Sequence, residues 1–178
     1  LAIGLCLILT IPSSAFAVGS GGFENASFSA KQLSLGGTGT ATPDEPAAIS
    51  YNPAGIVDLP GIQFQGNSNF ISIFTFKENS VTGDTRSSGT LNYIPTAYLT
   101  INPGKIFCDR VAFGIGTDSP FGLGNKYNSN DPAAHYTGWR NYLKMFTVKP
   151  VVAVKPFDWL SIGGGPMLYR IYSFGAIH

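Results

Sequence analysis

Apolar and polar residues alternate one by one along this chain from residue 62 onward. Ile62, Phe64, Gly66, Ser68 and Phe70 fall on one side of an extended chain, and Gln63, Gln65, Asn67 and Asn69 fall on the other. The run predicts a strand from residue 62 towards 77, longer than the usual soluble strand of about 5–6 residues. A second strand is expected over 93–101, with Tyr93, Pro95, Ala97, Leu99 and Ile101 on one face and Ile94, Thr96, Tyr98 and Thr100 on the other. A third, over 111–117, sets Val111, Phe113 and Ile115 against Ala112, Gly114 and Gly116. Two further candidates, 142–154 and 158–174, alternate less cleanly, and Pro150 and Pro166 blur their extents. Asn102-Pro103-Gly104 and Pro156-Phe157-Asp158 are the turn signals between them. Amides and hydroxyls, not Lys and Glu, make the polar side of 62–70, which suits an enclosed wet lumen. A soluble β-sandwich alternates in the same way and stays open on pattern alone.

Residues 1–61 read differently. Residues 1–11 are almost unbroken apolar, Pro12-Ser13-Ser14 breaks the run, and Ala15-Phe16-Ala17 follows. That is the pattern of a secretory signal peptide over residues 1–17, too short for a spanning helix. No Met or basic residue precedes the run, so the start of the reading frame is expected to lie upstream. Residues 18–61 are rich in small side chains. Thr42 is expected to cap a short helix, with Pro43 at its first position and Glu45 completing a capping box. The helix would carry Ala47, Ala48 and Ile49 and stop before Asn52-Pro53.

Composition narrows the class. Charged residues are 12% of the 178, against about 25% in ordinary soluble domains, and aromatics are 13%. With 22 glycines and 12 prolines the chain is no helical bundle. A formal net charge of +1 gives nucleic acid no handle. Mean hydropathy of +0.14 is too low for a multi-helix membrane protein but fits a barrel of alternating strands. Cys6 would leave with the signal, so Cys108 has no intrachain disulfide partner. Five strand candidates cannot close a membrane barrel, which needs at least about eight. The chain is therefore expected to be a fragment at both ends.

Chemistry is sparse. The glycines of the 36–41 run would need another at position 42 for a dinucleotide fingerprint, and Thr42 stands there. His135 and His178 have no Cys, His or carboxylate cluster around them, and no triad can be assigned. No catalytic residue, metal site or cofactor is expected, and the chain does not read as an enzyme. Asn52-Pro53-Ala54-Gly55 alone is a generic turn. Ser119-Pro120-Phe121-Gly122-Leu123 with Tyr127, followed by Trp139-Arg140-Asn141-Tyr142, forms an aromatic-rich loop. It reads equally as interfacial anchoring or as a hydrophobic landing surface, with Arg140 open to a carboxylate.

In order and spacing these segments resemble the FadL-type outer-membrane transporters, the long-chain fatty acid and aromatic-hydrocarbon uptake proteins of Gram-negative bacteria. The stretches that carry the resemblance are Gly22-Phe23-Glu24, the 36–41 run, Ala47-Ala48-Ile49-Ser50-Tyr51-Asn52-Pro53-Ala54-Gly55-Ile56, Ile94-Pro95-Thr96-Ala97-Tyr98, Ser119-Pro120-Phe121-Gly122-Leu123, Trp139-Arg140-Asn141-Tyr142 and Asp158-Trp159-Leu160-Ser161-Ile162-Gly163. The resemblance implies an all-β fold, the N-terminal part of a fourteen-stranded transmembrane antiparallel β-barrel with a small N-terminal hatch containing a short helix. Residues 1–17 would be the signal, 18–61 the hatch and 62–178 about the first five strands. It further implies passive uptake of a hydrophobic solute, caught at the extracellular side, moved to an internal pocket and released sideways through the barrel wall. Gly22, Phe23 and Glu24 would gate the pocket, and Asn52, Pro53, Ala54 and Gly55 would shape the hatch turn. Phe121, Leu123, Tyr127, Trp139 and Arg140 would form the capture surface. The partners implied are a hydrophobic small molecule, outer-membrane lipid and lipopolysaccharide, around a chain monomeric at full length. A non-transporting structural or adhesion barrel is the alternative.

Overall fold

The computed structural model describes residues 28–77, 84–104, 109–121, 124–128 and 140–177. The expected signal over 1–17, the expected gate Gly22, Phe23 and Glu24, and the capture residues Leu123 and Trp139 lie outside the described residues. The described residues open with two short helices, α1 (Ala30–Ser34) and α2 (Ala48–Tyr51), and two 3-10 turns, Thr38–Ala41 and Pro53–Asp58. Strands follow: β1 (Ile62–Ile73), β2 (Phe76–Lys77), β3 (Thr85–Arg86), β4 (Thr90–Ile101), β5 (Val111–Asp118), β6 (Gly124–Lys126), β7 (Arg140–Phe157), β8 (Leu160–Gly164) and β9 (Leu168–Ile177). β1, β4, β5, β7 and β6 are neighbours in one antiparallel sheet, with β8 and β9 joined to β7. β2 and β3 form a separate two-stranded ribbon.

Two of these strand pairs are single passes interrupted midway. β5 and β6 both pair with β7, from Val111↔Val154 to Asp118↔Thr147 and then from Gly124↔Tyr142. β8 and β9 also share β7, ending at Val152↔Gly164 and resuming at Val148↔Leu168. The expected strand over 158–174 is thus one pass broken at residues 165–167.

The sheet is amphipathic in the sense opposite to a soluble sandwich, where the apolar face packs inward. Burial along β1 alternates with period two, and it is the apolar residues that stand out. Phe64 is 73% and Phe70 66% exposed, and Leu91, Tyr93, Phe113, Ile115, Val152 and Ile162 project on the same open face. Left in water, each such side chain would forgo about 1.5–3 kcal/mol. Soluble monomers rarely expose a contiguous patch of this kind. On the covered face sit Thr96, Tyr98, Thr100, Asp118, Thr147 and Lys149, all buried.

What covers that face is the helical segment before β1. Its Ala47, Ala48, Ile49, Ile56, Val57 and Leu59 pack with Tyr98, Ala112, Val151 and Ala153 of the sheet into the core. Inward glycines admit it: a Cβ on Gly114 would lie 2.8 Å from Ile49 Cδ1, and one on Gly116 3.0 Å from Ile49 Cγ2. Aromatic pairs mark two levels of the open face. Phe70 and Tyr93, register partners, lie 5.2 Å apart, and Phe157 stacks on Trp159 at 5.6 Å at the β7–β8 turn. Such pairs add about 0.5–1.5 kcal/mol beyond burial, and rings at the two rims are the habit of membrane barrels.

One local expectation fails. Thr42 does not cap the helix: α2 starts at Ala48 behind Ala47, with no side-chain cap. Glu45 instead serves tertiary bonding. Its carboxylate accepts from the Ser29 and Tyr51 hydroxyls and, at 2.7 Å, from Gln65 Nε2 of β1. A buried carboxylate needs several donors, and the sheet supplies what a one-turn cap cannot. Asn52 ends α2, its N–H donating to Ala48 O at 2.8 Å.

Candidate functional site

Each residue of Asn52-Pro53-Ala54-Gly55 makes a distinct contact. Asn52 Nδ2 donates to Thr40 O at 2.8 Å, tying the turn to the glycine-rich run. Pro53 opens the 3-10 turn at a position that needs no N–H. The Pro53–Ala54 backbone lies against Gly163 of β8, where an added Cβ would approach Ala54 N and Pro53 O to 2.6 Å. Gly55 is covered by the Pro43 ring, which would meet an added Cβ at 2.1 Å.

Gln65 fastens the same segment to β1, its Oε1 accepting from Ala47 N–H at 2.8 Å. Asn102 Nδ2 donates to Val57 O at 2.8 Å, and Lys155 pairs with Asp58 at 2.6 Å. At the surface Lys31 binds Asp44 at 2.6 Å. That hydrogen bond holds the Asp44 carboxyl below its usual range. Burial, aided by Glu45, pushes the Tyr51 phenol above its ordinary value.

Beside this segment the sheet wall is incomplete. β4 pairs with β5 only from Ala97↔Thr117 to Ile101↔Phe113. After Asp118 the chain leaves the ladder at Ser119-Pro120-Phe121, and its next described pairing with β7 is at Gly124. Among the described residues Tyr93 to Thr96 therefore have no ladder partner on that edge, and Pro95, which brings no N–H, sits among them. Above the gap, Gly124 N–H donates to Asn92 Oδ1 at 3.2 Å and Ser88 N–H to Lys126 O at 2.7 Å. Ser119 Oγ donates to Met145 O below.

The gap opens into a cavity of about 730 Å³. Tyr93, Pro95, Ala97, Tyr142, Met145 and Phe146 give it apolar and aromatic walls, while Lys126, Arg140 and Lys144 bring cations to its rim. On the open face, a groove of about 390 Å³ continues from it through the shared Ala97 and Thr117, past Phe64, Leu99, Ile115 and Val148. The passage can hold an apolar body, and its cations can meet an anionic end.

Of the expected capture residues, Arg140 reaches this cavity, with its guanidinium 5.3 Å from the Tyr142 ring centroid, a cation–π distance. Phe121 is half-buried in the bend after β5, and Tyr127 bridges to Ser87 in the loop above. Phe121 and Tyr127 are not among the residues lining this cavity. Of the residues that line the gap, Tyr93, Pro95 and Ala97 were placed on a strand face from the sequence, but neither they nor Met145 were given a part in the site. A proline inside an alternating strand was the available signal. Among the described residues no cluster of His, Cys, Asp or Glu could hold a metal ion, and no helix is long and apolar enough to cross a membrane.

Residues 11–174 match the family model described as "Outer membrane protein transport protein (OMPP1/FadL/TodX)". The fold is similar to the crystal structure of a Pseudomonas aeruginosa FadL homologue, with a TM-score of 0.56 at 18% identity. That match covers 72% of this chain and 33% of the other, so the chain spans about a third of its length. None of the curated proteins matches. The amphipathic sheet, its aromatic rims and its covering segment thus form the N-terminal part of an all-β outer-membrane barrel, and the chain belongs to the OMPP1/FadL/TodX family of outer-membrane transport proteins.

Proposed function

We propose that this protein is a passive entry route for hydrophobic solutes, long-chain fatty acids or aromatic hydrocarbons, across the Gram-negative outer membrane. The segment 18–61 acts as a hatch, the extreme N-terminus around Gly22, Phe23 and Glu24 gates an internal pocket, and the solute leaves through the wall. The observation that carries this reading is the interrupted β5–β6 pass, which leaves an apolar cavity beside the hatch and in line with an outward groove. An apolar molecule gains about 0.8 kcal/mol for each CH₂ it moves from water into such a surface. Capture then needs no energy source, and lateral release delivers the molecule into another apolar phase. Arg140 and its neighbouring lysines give a carboxylate head group a partner on the way.

The test uses the full-length protein in an outer membrane. Phe23→Ala and Asn52→Ala should each lower uptake of labelled oleate or an alkylbenzene while the barrel still assembles. Assembled variants with undiminished uptake would instead identify a structural or adhesion barrel.

A further inference from the structure

Three parts of the transport path meet at one buried polar cluster that no step described above uses. Asp118 is the last residue of β5 before the gap. Its Oδ2 accepts from Lys149 Nζ of β7 at 2.5 Å and from Ser50 Oγ of α2 at 2.6 Å. Its other oxygen accepts from the Thr147 hydroxyl. Lys149 Nζ also donates to Ser50 Oγ at 3.2 Å, and the Ser50 hydroxyl lies 3.4 Å from that of Tyr98. The same ammonium sits 5.1 Å from the centroid of the Phe28 ring, two residues before α1. The Phe28 carbonyl is in turn held by Thr96 Oγ1 at 3.2 Å and Asn67 Nδ2 at 3.4 Å, from β4 and β1.

This ion pair differs from the others described. Lys149 and Asp118 expose 7% and 2% of their side chains, whereas Lys31–Asp44, Arg110–Asp158 and Lys155–Asp58 each have at least one partner well exposed. A buried pair adds little stability over apolar residues of the same size, but removing one partner is strongly unfavourable. Such a pair fixes an arrangement more than it strengthens one. Here the fixed arrangement joins Phe28, the hatch helix and the broken strand.

We infer that Ser50, Asp118 and Lys149 form a latch that holds the hatch, from Phe28 to its helix, against the wall at the lower edge of the gap, positioning it for transport. Ser50 is the releasable member: it belongs to the hatch, and on its departure Asp118 keeps Lys149 and Thr147. The inference rests on the hatch reading proposed above.

Hydrogen exchange on the folded full-length barrel, alongside oleate uptake, tests it. Ser50→Ala should speed exchange of the amides over 48–59 about tenfold, one hydrogen bond's worth, and change the uptake rate, while strand amides keep wild-type protection. Ser50→Thr, which retains the hydroxyl, should restore both. Lys149→Met should speed exchange of those amides on the order of 100-fold, since it strands a buried carboxylate, and Asp118→Asn with Lys149→Met should fall back towards Ser50→Ala. Wild-type exchange over 48–59 in folded Ser50→Ala and in the double variant would overturn the latch. A wild-type protein that takes up no oleate would instead remove the transport reading, with the exchange data still judging the latch.

Discussion

At Tyr51 a single phenol reports the state of the whole covering segment. Its hydroxyl donates to Glu45 at 3.1 Å, and burial beside that carboxylate raises its pKa above the ordinary 10.0. The folded form then holds the proton more tightly than the unfolded chain. The stabilisation is complete below pH 10 and is lost as pH rises above it. Protease protection of residues 28–60 should fall on raising the pH from 9 to 11, and Tyr51→Phe should flatten that dependence. The Lys31–Asp44 bond runs the other way. With the carboxyl held below its usual 3.8, its contribution is present above that value and disappears as pH falls through the lowered one. Both groups of that pair are exposed, so the effect should be small and screened by salt. Gly163→Val tests the close approach of the Asn-Pro-Ala turn. With Ala54 N and Pro53 O each 2.6 Å from an added Cβ, the segment should lose about 1–3 kcal/mol of docking stability, visible as faster proteolysis without loss of the sheet.

At the scale of elements, the strand phases were legible because each strand has two different environments. Tyr93, Pro95, Ala97, Leu99 and Ile101 share the lipid-type face as their spacing indicated, and Ile94, Thr96, Tyr98 and Thr100 are turned in. Pro150 and Pro166 were legible only as disturbances and Pro95 only as a member of its strand face, yet two of the three mark the interruptions themselves. Pro95 lies where β4 has lost its neighbour, and Pro166 lies in the break between β8 and β9, where an added Cβ on Gly165 would strike the Pro150 carbonyl at 1.9 Å. Glu45 was misassigned because a local cap and a tertiary hub ask for the same residue type, and only the fold brings Gln65 to it. Asp118 and Lys149 are 31 residues apart and Ser50 a further 68 before Asp118. No local periodicity joins them, although a charge in phase with inward glycines and alanines was a trace of the cluster. Gln65→Leu should separate the two levels. It removes the bonds to Ala47 N–H and Glu45, costing about 1–3 kcal/mol for the stranded groups, and segment protection should fall while β1–β4 amide protection persists.

For the molecule as a whole, an apolar open face, a polar covered face and a broken wall between them describe one object. The sheet presents hydrocarbon-compatible residues outward, and the helical segment fills its concave side. The cavity and the outer groove share Ala97 and Thr117, which makes that threshold the place to intervene. The most direct measurement is uptake of labelled oleate and toluene by cells carrying matched surface amounts of full-length wild-type or Ala97→Trp protein. If solutes pass through the gap, the bulky indole should cut uptake about tenfold or more, equivalent to at least about 1.4 kcal/mol on the barrier, with the barrel still assembled. Equal uptake by the two proteins would contradict the lateral route and leave the gap without a part in transport.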